Sequence, residues 1–207
     1  MGGGWAVRPG LLTAPSVGAG QAYTDRITVR DGGGNTVTSE PVTATASADA
    51  ASGYTSAVIE DGAGLYYPLG GSAADWAGTN PPTFGSSVQA EQPGAVKGPT
   101  TGFSNFDGTS NGRVSSSSRP ATPTEFTTEL WFKTTSTRGG KLIGYGNAQS
   151  GSSSSYDRHI YMRNDGRLNF GVYPGSTKIV TSASPYNDGK WHQAASSLSK
   201  DGMKLYV

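Results

Sequence analysis

The chain has 207 residues, with 16 Lys and Arg against 15 Asp and Glu and a formal net charge of +1. Charged residues make up 15%, against roughly 25% in an ordinary globular chain, while 31 residues are Gly and none is Cys. Disulfide frameworks, thiolate metal sites and Cys nucleophiles are excluded together, and the balanced charge gives no electrostatic footprint for nucleic acid or a polybasic membrane surface.

Aromatics at 10% argue against wholesale disorder, and no run approaches the ~18 apolar residues of a membrane span. Low Leu, Glu and Lys argue against helices; Val, Thr, Tyr and Gly point to strands joined by tight turns. The opening Met1-Gly2-Gly3-Gly4-Trp5 has neither the basic start nor the apolar core of a signal peptide. Any export signal would lie upstream of this fragment, or export would take another route.

In chain order, Ala22 to Arg30 alternates with period two, Asp31-Gly32-Gly33-Gly34-Asn35 supplies turn chemistry, and Thr36 to Thr45 is extended, with Pro41 marking an edge or a bulge. That predicts a hairpin within a unit spanning 1–48. Residues 49–53 read as a linker, and a second unit runs over 54–207. Its first half is loop-rich, with Pro81, Pro82, Pro93 and Pro99 among several glycines. Strands are then predicted at Glu125–Lys133, Lys141–Tyr145, Arg158–Arg163, Arg167–Tyr173, Lys178–Thr181, Lys190–Leu198 and Met203–Val207. Short strands with evenly placed turns indicate an all-β antiparallel sandwich or jelly roll.

One hairpin can be registered from its side chains. A three-residue loop, Asn164-Asp165-Gly166 with Gly166 left-handed, sets Met162 opposite Leu168 and Ile160 opposite Phe170. A two-residue turn would set Met162 against the charged Arg167. The better register leaves Asp157, His159 and Tyr161 on the other face of one strand, and Asn169, Gly171 and Tyr173 on its partner. In the next pair, Ala194, Ser196 and Leu198 face Met203, Leu205 and Val207.

Five landmarks carry a resemblance: Val58 to Gly70 as an entry strand, Ala74-Asp75-Trp76-Ala77-Gly78, Phe106-Asp107-Gly108, Phe126 to Lys133, and Asn187-Asp188-Gly189-Lys190-Trp191-His192. In this order they resemble the laminin-G-like jelly roll of the concanavalin A-like lectin/glucanase superfold, common in secreted actinobacterial proteins. Residues 1–48 resemble the C-terminal part of a fibronectin type III or Ig-like domain, with Val17 and Tyr23 at tyrosine-corner spacing. Both units look incomplete against their families, which implies a fragment of a longer, secreted or cell-surface modular protein. Many relatives of the second unit carry calcium at the sandwich rim, and Asp107 and Asp75 are its candidates by position.

The sequence carries no Glu-x-Asp-x-x-Glu run, no Gly-x-Ser-x-Gly elbow and no His-Glu-x-x-His helix, so no catalytic residue is assigned. Glu125 and Glu129 read as solvated or capping. Trp131 and Trp191 are assigned to packing, and His192 to an inward-facing, hydrogen-bonded structural role. His159 differs, because it shares an outward face with Asp157, Tyr161, Asn169 and Tyr173. Aromatic rings stack on the apolar face of a pyranose while amides and carboxylates take its hydroxyls. The expectation is a non-catalytic extracellular module that binds carbohydrate. Its rivals are an adhesin or phage-tail module gripping protein, and an accessory domain of a carbohydrate-active enzyme.

Overall fold

The computed structural model describes residues 22–25, 28–30, 36–38, 40, 42–45, 53–91, 93–96, 102–149 and 153–207. The chain divides into two compact units with a boundary between Ser52 and Gly53. In the first, β1 (Ala22–Asp25), β2 (Thr28–Arg30), β3 (Thr36–Thr38) and β4 (Val42–Thr45) form the expected hairpin, broken into two ladders. β2 pairs with β3 and β1 with β4, both antiparallel. Two residues separate Asp25 from Thr28, but three separate Thr38 from Val42, so the segment holding Pro41 carries one extra residue. The edge or bulge expected at Pro41 lies outside the described residues. Tyr23 lies opposite Ala44; the tyrosine-corner assignment rests on side chains outside the described residues.

The second unit opens with a helix, α1 (Gly53–Glu60), where the sequence predicts linker and entry strand. The helix is fixed at its end by Gly62, left-handed at φ 80°, with Ala63 N–H donating to Val58 O and Gly62 N–H to Ile59 O. This is a Schellman closure, so the Asp61-Gly62 pair stops a helix rather than turning a strand. Thr55 is buried on the inward face of the helix. Among the described residues no helix is long and apolar enough to cross a membrane.

The proline-rich stretch yields only three-residue strands: β5 (Pro82–Phe84) pairs with β8 (Val114–Ser116), and β6 (Gln89–Glu91) with β7 (Phe103–Asn105). Seven longer strands follow: β9 (Phe126–Phe132), β10 (Gly140–Gly146), β11 (Tyr156–Met162), β12 (Arg167–Val172), β13 (Lys178–Pro185), β14 (His192–Ser199) and β15 (Gly202–Tyr206). They make two antiparallel sheets, one in the order β10-β11-β12-β13 and the other β15-β14-β9.

Ile160, Leu168, Phe170 and Ala194 are fully buried, with Phe132 and Met162 beside them. Each large side chain of this set is worth about 1.5–3 kcal/mol in burial. The core therefore lies between the sheets and is built from alternate residues of each strand. The predicted register holds: Ile160 faces Phe170 and Met162 faces Leu168, around a loop in which Gly166 sits at φ 80°. Leu198 likewise faces Met203, and Ser196 faces Leu205.

Candidate functional site

On the outer face of the four-stranded sheet, β11 and β12 set His159 opposite Gly171 and Tyr161 opposite Asn169. Asn169 is 6% exposed, and its Nδ2 donates to Tyr161 Oη at 2.7 Å. Because that oxygen accepts, the tyrosine's own proton is free to point elsewhere. Asn169 Oδ1 is buried without a partner among the described residues, a polar cost of about 1–3 kcal/mol that sits beneath this face. Gly171 leaves a gap between Tyr161 and Ile179: a methyl there would meet Tyr161 Cε1 and Ile179 Cγ1, each at 3.8 Å.

His159 Nε2 lies 2.6 Å from the Tyr145 carbonyl oxygen. A carbonyl only accepts, so Nε2 carries the proton and Nδ1 of the neutral ring is left as an acceptor. Burial pulls this imidazole below its ordinary pKa; the Tyr145 hydrogen bond opposes that, Lys141 on the neighbouring strand adds to it, and Asp157 opposes it. The ring rests on Gly144, whose backbone leaves no room for a side chain.

A register break separates this group from Asp157. β10 and β11 pair Lys141 with Tyr161, Ile143 with Ile160 and Tyr145 with Asp157, with an irregularity on each side of Ile143. Arg158 takes the left-handed conformation at φ 51° within that break, an uncommon position for a non-glycine residue. Its guanidinium leans toward the core edge, 5.3 Å from the Phe126 ring centre and 5.5 Å from that of Tyr145. Asp157 is bound to Arg158 by an ion pair and accepts the Tyr173 N–H at 2.9 Å, so it closes the strand end and is not offered on the face.

Tyr156 takes its place, 52% exposed, with its ring 5.1 Å from that of His159. Tyr173 is 60% exposed. The structure thus brings together His159, Tyr161 and Asn169 and adds Tyr156 and Lys141, while Asp157 is set aside and Tyr173 lies past the end of β12 with its N–H on Asp157. Strict alternation misses Tyr156, because a bulge between it and His159 restores them to one side.

The remaining assigned residues fall elsewhere. Asp75 is nearly buried, and its carboxylate accepts backbone N–H groups of Tyr66, Ala77 and Asn80 at 2.9, 3.1 and 3.2 Å. Asp107 accepts the N–H and O–H of Thr109, which hold its carboxyl below the usual range. Each aspartate orders its own loop, and no group of three acidic or His side chains suited to a metal occurs among the described residues.

His192 packs on Phe132 and Tyr186 at 5.7 and 5.0 Å, with Nε2 2.8 Å from Asp188 Oδ1. Trp191 meets Phe103 edge-on at 5.4 Å. Trp131 is not a buried packing residue: at 37% exposed it lies on the outer face of β9, where alternation from buried Phe132 puts it.

The second unit is a sandwich of two antiparallel sheets. Residues 107–207, just under half of the chain, match the family model Laminin_G_3, described as the concanavalin A-like lectin/glucanases superfamily. The match begins at Asp107 and so takes in both large sheets. No curated protein and no solved structure matches the chain.

Proposed function

We propose that this protein is a non-catalytic, extracellular or cell-surface module that binds carbohydrate on the outer face of the four-stranded sheet. The observation that carries the reading is the grouping around Gly171. An acceptor nitrogen on His159 and a hydroxyl on Tyr161 lie beside a backbone with no side chain, with the exposed ring of Tyr156 against His159 and that of Tyr173, also exposed, past the strand end. Saccharides need hydrogen-bonding groups of both kinds beside an apolar ring surface, on a base rigid enough to cost little ordering on binding. Packing of the opposite face of β11 and β12 into the core supplies that rigidity.

Affinity-gel electrophoresis and a glycan array test the reading. Tyr161→Ala and Tyr173→Ala each lose retention relative to the parent chain, and unchanged retention in both removes this site.

A further inference from the structure

His159 is fixed in both orientation and tautomer by its neighbours. Its ring lies against the Gly144 backbone, where even an added methyl would collide with it. The Tyr156 ring stands edge-on to it at 5.1 Å, and Nε2–H donates to the Tyr145 carbonyl oxygen at 2.6 Å. The imidazole cannot turn over without giving up that bond, so the nitrogen open to a ligand or to a proton is Nδ1. Nδ1 takes no hydrogen bond from the described residues, and it is not among the buried polar atoms left without one, so it reaches solvent.

The groups around the ring are not arranged to hold a positive charge. From β10 come Lys141, a cation opposite Tyr161 with Arg113 acting on it, and the Tyr145 phenol, which donates to the Ala121 carbonyl. From β11 come the phenols of Tyr156 and Tyr161 and the carboxylate of Asp157. That carboxylate is committed elsewhere, to an ion pair with Arg158 and to the Tyr173 N–H at 2.9 Å. On β12 and β13 the row running from His159 holds Gly171 and Ile179, neither of which titrates. Burial therefore outweighs the Tyr145 hydrogen bond and draws the imidazole below its ordinary 6.5, with Lys141 adding to the effect and Asp157 opposing it.

At neutral pH the face thus presents one acceptor, Nδ1, and one donor, the Tyr161 hydroxyl, whose oxygen is taken by Asn169. A proton on Nδ1 turns the acceptor into a second donor and strands the ligand proton that faced it. A sugar ring seated over the imidazolium would also strip water from a charge that has no counter-ion.

We propose that His159 is an acid-release switch: with the ring neutral, Nδ1 accepts a hydroxyl of the bound saccharide, and its protonation in mildly acidic surroundings expels the ligand. The switch rests on the saccharide reading above and adds its regulation.

Two measurements on the 207-residue chain test it. Long-range proton–nitrogen NMR spectra read both histidine rings, the His159 signals being those absent from His159→Gln. A neutral tautomer protonated on Nε2 and a titration midpoint below 6.5 are expected, with the midpoint rising in Lys141→Gln. Affinity gels of hydroxyethylcellulose, xylan and galactomannan are then run at about pH 7.5 and about pH 4.5, either side of the histidine range, with thermal melting at both. Retention by at least one polymer is expected at the higher pH and falls about tenfold at the lower, through loss of one hydrogen bond to the ligand. In His159→Gln, whose amide does not titrate, retention is the same at both. In Lys141→Gln the pH of half-release moves up with the NMR midpoint.

Retention constant across the interval, or falling equally in His159→Gln, overturns the switch and leaves the saccharide site standing. A neutral ring protonated on Nδ1 overturns it as well, and so does retention that falls only where the melting transition is lost. No retention at either pH overturns the saccharide reading and the switch together.

Discussion

Gly171 separates what the sheet needs from what the face needs. It is absent from the left-handed glycines, and a Cβ added to it meets its nearest atoms, Ile179 Cγ1, Lys178 O and Tyr161 Cε1, at 3.8 Å, ordinary contact distance. The fold therefore has no use for a glycine here. Gly within a strand costs roughly 0.5–1 kcal/mol relative to Ala through the entropy of the unfolded chain. Gly171→Ala is expected to recover that amount, raising Tm by about 1–4 °C for a chain of this size.

Gly171→Leu extends the substitution into the space between Tyr161 and Ile179 that a stacked sugar would occupy. Glycan retention falls about tenfold or more while the melting transition stays at or above that of the parent. Calorimetry and affinity gels on the three proteins give both quantities. A lower Tm for the Ala variant refutes the structural half of the reasoning. Undiminished retention in the Leu variant refutes the functional half, because a face whose floor can be filled without effect is not a binding face.

Two further predictions concern the supports of the sandwich. Gly144→Ala drives a methyl into the His159 ring and its backbone at a position of φ 155°; a loss of about 1–3 kcal/mol in urea unfolding is expected, and a change below a few tenths would show that the ring moves aside freely. Asp188 is held down to about 2 by its hydrogen bonds to His192 and to the Lys190 N–H. The folded value lies below the ordinary 3.8, so the contribution is present above pH ~4 and fades as pH falls towards 2. The stability advantage of the parent over Asp188→Asn should shrink across that interval in acid melts; an advantage constant down to pH 2 contradicts the assignment.

Much of this was legible because one physical rule, the period of two, governs most of the second unit. Ile160, Met162, Leu168 and Phe170 could be paired from the sequence because apolar side chains face one another and Gly166 can take a left-handed turn. The rule fails where local geometry departs from it. The bulge at Arg158 is written in no residue preference, since Arg is a poor occupant of φ 51°; it goes with the contacts of the guanidinium to the Phe126 and Tyr145 rings and the Pro123 carbonyl, which are tertiary. The helix at Gly53–Glu60 was hidden for a similar reason. Val58 and Ile59 favour strands, and the segment becomes helical where Thr55 is buried and Tyr54 meets Trp131 and Glu129. The sequence assigns Trp131 to packing on its size; it does pack on Tyr54, but on the outer face, where alternation with Phe132 places it.

A sandwich needs only the inner half of each strand, and on a chain with 15% charged residues the outer half carries little charge to keep it soluble. Rings on those outer positions contribute little to stability and raise the risk of association. Yet Tyr156, Tyr173, Trp131 and Tyr206 are all between 37% and 60% exposed. They fall into two groups, each beside hydrogen-bonding groups already oriented by other residues: His159 by the Tyr145 carbonyl, and Glu129 by Tyr54. Exposed rings scattered at random would be explained by tolerance alone. The Tyr156 ring set against the oriented His159 is the pairing that the proposed saccharide site requires.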